Sequence, residues 1–132
     1  MIVGTLIALE NSTLTISKNG SISSESSSSW INRGLVVLGD SFVDYPIGGS
    51  FCDLEIAGAV DFGEDSLWNI TKRLKMSSNA FIVRGGFLYE NDSVLEYSAG
   101  YDVDIVTGKE WHINAVPYNV LLSKSNVLIR DN

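Results

Sequence analysis

From residue 80 onward the chain is a succession of short runs rich in Val, Ile and aromatic residues: "AFIVRGGFLYEN", "SVLEYSAG", "YDVDIVTG", "EWHINAV", "YNVLLS" and "NVLIRD". Gly-Gly, Asn-Asp, Ala-Gly, Thr-Gly and Ser-Asn pairs separate them, at roughly the 8–12-residue spacing of sandwiches and barrels. Within the runs the residues alternate, Val103 and Ile105 to one side and Asp102 and Asp104 to the other. Pro117 suits an edge or a corner better than a central strand. This pattern predicts a mainly β, single-domain protein over residues 1–132, an antiparallel sandwich or barrel. A β-solenoid is the alternative, suggested by segments such as "LEIAGAV", although the apolar triplets at 54–56, 68–70, 81–83 and 95–97 show no fixed repeat.

The first half is less regular. Residues 2–9 are apolar, "TLTIS" (13–17) alternates, and "ENS" between them is turn-like, so the chain is expected to open with a hairpin. "KNG" (18–20) is a second turn signal, because Asn and Gly tolerate positive φ. "SISSESSSS" (21–29) buries little and reads as a flexible loop. It sets residues 1–20 apart as an N-terminal arm able to clasp a neighbour in a homo-oligomer. "FCDLEIAGAV" (51–60) reads as a strand with Cys52, Leu54 and Ile56 in the core and Asp53 and Glu55 outside. In "GEDSLWNITKRLKMSSN" (63–79), Leu67, Ile70, Thr71 and Leu74 fall at i, i+3, i+4 and i+7. That spacing predicts one short helix near 65–77, capped by Asp65 or Ser66. Trp68, Ile70, Leu74 and Met76 also sit at even spacing, which is the competing strand reading.

Composition narrows the function. One Cys and one His leave no intramolecular disulfide and no structural zinc site, and no cofactor motif is present. No apolar run reaches the ~18 residues of a membrane span, and Glu10 comes too soon for a signal peptide. The expectation is a cytoplasmic protein, with the sequons at Asn11, Asn69 and Asn91 arising by chance in a chain rich in Ser and Asn. The net charge is −7, with no Lys or Arg between Arg33 and Lys72 and none between Arg84 and Lys109. Direct contact with nucleic-acid phosphates needs the opposite sign. A protein partner with a basic surface fits better.

The stretch "LGDSFVD" resembles the first motif of the GDS(L), or SGNH, lipase and esterase family, in which the Ser after Gly-Asp is the nucleophile. The resemblance implies Ser41 as nucleophile, Asn91 of "YENDS" in the oxyanion hole and His112 as base. The family places an Asp three residues before its His, and here that residue is Lys109. An imidazole base needs an acidic partner to hold its tautomer. Gly-Asp between two apolar runs is otherwise a hairpin turn, and the sequence favours that reading.

Asp53 with Glu55 and Asp102 with Asp104 form acidic pairs on strand faces. Neither pair has the dense oxygen-rich loop of a calcium site, so no metal is expected. Trp30, following the serine stretch, is the tryptophan best placed for exposure at an interface. Taken together, these residues describe a non-enzymatic acidic binding domain, of the inhibitor or immunity-protein kind, that blocks a basic, nucleic-acid-handling partner. Asp53, Glu55, Asp102, Asp104 and Trp30 are its candidate contacts. The alternative is a structural subunit of a viral or filamentous particle, supported by the Gly- and Ser-rich β composition.

Overall fold

The computed structural model describes residues 5–23, 29–44, 49–98, 104–111, 115–123 and 126–128. Every regular element among them is a β-strand, and every strand pair is parallel. Each strand pairs with one roughly 20 residues further along rather than with its sequence neighbour, which is the signature of a solenoid. The first coil is β1 (Thr5–Ala8), β2 (Thr13–Ile16) and β3 (Gly20–Ser23), and the second is β4 (Ser29–Asn32), β5 (Leu35–Leu38) and β6 (Ser41–Asp44). The third comprises β7 (Ser50–Ile56) and β8 (Ala59–Asp61), and the fourth β9 (Leu67–Ser77) and β10 (Phe81–Arg84). The fifth is β11 (Gly86–Tyr89), β12 (Val94–Ser98) and β13 (Asp104–Val106), followed by β14 (Asn119–Leu122) and β15 (Asn126–Leu128).

The main ladder runs β2-β5-β7-β9-β12-β14, and a second runs β3-β6-β8-β10. The antiparallel sandwich or barrel is therefore corrected to the solenoid alternative. The error has a physical source. Parallel sheets are usually covered on both faces and read as unbroken apolar runs, whereas alternation marks a sheet with one wet face. A solenoid's parallel sheets bury only the face turned into the coil, so their strands alternate as antiparallel ones do.

The inward residues stack in register. Val36, Leu54, Leu74 and Leu95 form one column and Leu38, Ile56, Met76 and Tyr97 the next, all nearly or wholly buried. Each such side chain is stabilised by roughly 1.5–3 kcal/mol through removal from water. Beside them Phe51 lies against Trp68, with ring centroids 4.7 Å apart, and Phe62 meets Phe87 edge-on at 5.2 Å. A Cβ on Gly49 would run into the Trp68 ring, so only glycine lets the chain pass there.

The helix expected near 65–77 is β9, the longest strand. It turns a corner at Thr71 and Lys72, where two residues oppose Cys52 of β7. Leu67–Ile70 pairs with β11, and Arg73–Ser77 with β12. Trp68 and Ile70 point inward before the corner, Leu74 and Met76 after it, and Lys72 is exposed. Ile70 and Leu74 share the inward side four residues apart, a spacing common to strand and helix, and the corner turns the intervening Lys72 out. The same corner leaves Cys52 partly buried rather than in the core.

Turns join faces of a coil and do not make hairpins, so the opening hairpin is also corrected. Among the turns closed by an N–H bonding the carbonyl three residues back are Leu9–Ser12, Ser17–Gly20, Ser77–Ala80 and Glu90–Ser93. Their third residues, Asn11, Asn19, Asn79 and Asp92, have φ between 61° and 66°, which Asn and Asp adopt at least cost. Within the segment 1–20 read as an arm, β1 pairs with β4 and β2 with β5, and Ser21–Ser23 of the serine stretch lie in β3 with Ile22 buried. Residues 24–28 lie outside the described residues.

Truncating the middle of the columns should be costly and truncating their far end should not. Leu74→Ala is expected to lower stability by about 2–5 kcal/mol, and Leu122→Ala by under about 0.5 kcal/mol. Urea denaturation of the two variants measures the difference.

Candidate functional site

The outward side of the main ladder carries two rows in register. One reads Thr13, Leu35, Asp53, Arg73, Val94, Asn119 and the other Thr15, Val37, Glu55, Lys75, Glu96, Leu121. Strand stacking therefore sets Arg73 between two acidic coils. Its Nε and Nη2 donate to the Asp53 carboxylate at 2.9 and 3.0 Å, and its Nη1 donates to Glu96 at 3.2 Å. Lys75 Nζ lies 3.2 Å from Glu55, which also accepts the Ser77 hydroxyl at 2.8 Å. Arg73 is itself more than a third exposed, while Asp53 and Glu96 are mostly covered.

On the neighbouring face Arg84 grips Asp61 with contacts of 2.8–3.0 Å. The Arg84 hydrogen bonds hold the Asp61 carboxyl below its ordinary range, and the Gly63 amide adds to this against the opposing effect of burial. A lowered carboxyl pKa adds stability above the unfolded value near 3.9, and that stability is lost as pH falls through the folded value. Because the pair is exposed, its contribution is small.

A buried polar cluster closes the fifth coil. Glu110, 2 % exposed, accepts the Tyr97 hydroxyl and the Gly108 N–H on Oε1, each at 2.8 Å. Trp111 Nε1 donates to the Tyr97 oxygen at 2.6 Å, and the Tyr89 hydroxyl donates to the Glu110 carbonyl at 2.8 Å. Burial, with the adjacent Glu110 carboxyl, pushes the Tyr89 and Tyr97 phenols well above their ordinary range. The network pins the 107–111 segment to the core, and its polar groups bond one another.

The surface offers two further features. A polar pocket of about 190 Å³ at the β2–β5–β7 corner is lined in part by Arg33, Lys72, Cys52 and Asp53. Asp53 is already held by Arg73. At the far end of the main ladder, β14 has a neighbour on one side only among the described residues, and its Val120, Leu121 and Leu122 are 42–50 % exposed. Val116 and Tyr118 at the preceding corner are more exposed still. Val120 and Leu122 continue the buried Leu95 and Tyr97 columns into solvent.

The residues singled out from sequence scatter over this scaffold. Gly39-Asp40-Ser41 is a corner and not a hairpin turn, since β5 and β6 lie in different ladders. Asp40 accepts the Asn19 amide on its carbonyl and the Ala59 amide on Oδ1, each at 2.8 Å, tying three coils together. A Cβ on Gly58 would sit 2.5 Å from that Oδ1. The Ser41 hydroxyl donates to the Gly39 carbonyl at 2.9 Å. Asn91 lies exposed in a turn of a different coil, and His112 is outside the described residues. Asp53 and Glu55 stand in the ion ladder. Asp104 begins β13, opposite Asn126 of β15, and Asp102 is outside the described residues. Trp30 is half-buried, donates to the Ser50 carbonyl at 2.9 Å and meets Phe51 edge-on. The open end on β14 escaped sequence reasoning. Its signal was the apolar "YNVLLS", which reads the same whether a strand is covered or not.

Comparison of the chain with protein-family models, curated protein sequences and solved structures gives no match.

Two outcomes follow from the charged and polar contacts. Arg73→Met strands two mostly covered carboxylates and should cost roughly 1–2 kcal/mol, part of which Asp53→Asn restores in the double variant. Denaturation midpoints of the cycle test this. The phenols act at the other end of the pH scale. A raised phenol pKa favours folding fully below the unfolded value near 10, and that contribution fades as pH climbs towards the folded value. Stability should therefore fall as pH rises above about 10, with a smaller fall in Tyr97→Phe, measured by urea midpoint against pH.

Proposed function

We propose that this chain is a structural, non-enzymatic subunit of a larger assembly. The uncovered end of the core at Val120 and Leu122 carries the reading. Solenoids that stand alone finish in coils with a polar outer face, because an open apolar end associates. Here the inward columns run into solvent with no polar replacement on β14. The side faces support the same reading. Asp53, Glu55, Asp61 and Glu96 are engaged by Arg73, Lys75 and Arg84, which makes these faces rigid spacers rather than an open acidic surface.

The acidic binding module is the second reading, and one observation favours it. Glu64, Asp65, Glu90 and Asp92 are exposed at the corners, outside the ion ladder. With the net charge of −7 they supply long-range attraction for a basic protein. Association through them should weaken steeply with salt and again in Glu64→Lys/Glu90→Lys; indifference to both removes this reading.

Light scattering across a concentration series separates the two. The structural reading expects masses that grow well beyond the 14.4 kDa chain as concentration rises, persisting at high salt because the contact is apolar. A chain that stays monomeric throughout contradicts it.

A further inference from the structure

The two ends of the main ladder match each other. Among the described residues β2 and β14 are its edge strands, they run in the same direction, and they share one inward–outward phase. Leu14 and Ile16 head the two columns that Val120 and Leu122 finish. Thr13 and Thr15 point outward at one end, as Asn119 and Leu121 do at the other. The most exposed apolar residues fall on the same corner at both ends: Leu9 at 60 %, just before β2, and Val116 and Tyr118 at 64 %, just before β14.

From this we propose that the chain stacks head to tail on a second copy, β14 of one protomer pairing in parallel with β2 of the next. The inference rests on the structural reading above and names its partner. Advancing one protomer along the solenoid axis places Leu14 of the next copy on Val120, and Ile16 on Leu122, in the register that Leu95 and Tyr97 already make with β14. Two open strand edges gain a ladder at the same time. The contact joins two different surfaces by a translation along the solenoid axis, and a heterologous contact of that kind generates an open filament.

The register can be read by disulfides. In a Cys52→Ser background, Thr15→Cys and Leu121→Cys place single thiols at opposite ends of the chain, both on exposed outward positions. Within one chain five ladder steps of about 4.8 Å separate them, which is too far for a bond. Across the stacked junction one step separates them, about 4.8 Å and within disulfide range. On mild oxidation each single variant should remain uncoupled, an equimolar mixture should give covalent dimers, and the double variant should give a ladder of multimers. Val120→Lys/Leu122→Lys, at sites already open to solvent, should keep the monomer's denaturation midpoint and abolish both cross-linking and mass growth.

Mass growth by light scattering without cross-linking in the mixture would overturn the head-to-tail stack and leave the structural reading standing. Leu121→Cys coupling to itself would do the same, since that contact is tail to tail. No mass growth and no cross-linking would overturn both.

Discussion

The structure depends on one repeated contact, the seating of each inward side chain on its counterpart one coil away. Val36, Leu54, Leu74 and Leu95 have no other core to enter, and neither do Leu38, Ile56, Met76 and Tyr97. In a strand the side-chain period is two residues, so a slip of one would turn a whole column out into water. The columns therefore fix the register of the main ladder, and every outward neighbour is a consequence of that register. Arg73 faces Asp53 and reaches diagonally past Val94 to Glu96 because Leu74 stands between Leu54 and Leu95.

This division of labour suits a chain with many carboxylates. Stacked parallel strands place like residues side by side, and two adjacent acidic coils would repel. The basic residues of β9 interrupt the acidic sequence at the one coil where β7 and β12 both need it. Corners do the remaining work with local hydrogen bonds. Asn and Asp take the left-handed positions, while Asp40 laces three coils together through its carbonyl and carboxylate. Such a molecule is quasi-one-dimensional, with each coil stabilised by the coils on either side. The middle is doubly supported and the ends singly.

Much of the local structure was legible in the sequence. The strands Phe81–Arg84, Gly86–Tyr89, Val94–Ser98 and Asn119–Leu122 and the turn at Lys18–Gly20 follow from alternation and from the conformational tolerance of Asn and Gly. By contrast "EWHINAV", read as a strand, opens in the turn that Trp111 closes on Gly108. Long-range pairing was not legible. Whether "TLTIS" pairs with its neighbour or with Leu35–Leu38, a whole coil later, is set by the stacking columns, and coils of uneven length hide the repeat from a search for a fixed period. The segment around Leu67–Ser77 shows the limit most clearly, since a strand that turns a corner carries helical and strand spacing together. The acidic pair Asp53 and Glu55 looked open because its cations lie 20 residues further on, in Arg73 and Lys75. Sequence distance concealed what strand stacking brings to about 3 Å.

Amide hydrogen exchange recorded at low and at high protein concentration tests the stacked-coil account most directly. Amides of β7, β9 and β12 should be strongly protected at both concentrations, because each of these strands is laddered on both sides. Amides of β2 and β14 should exchange quickly in dilute solution and become protected together as concentration rises. Exchange in β9 as fast as in β14 would contradict the parallel stack. Edges that stay unprotected at every concentration would contradict its role as a building unit.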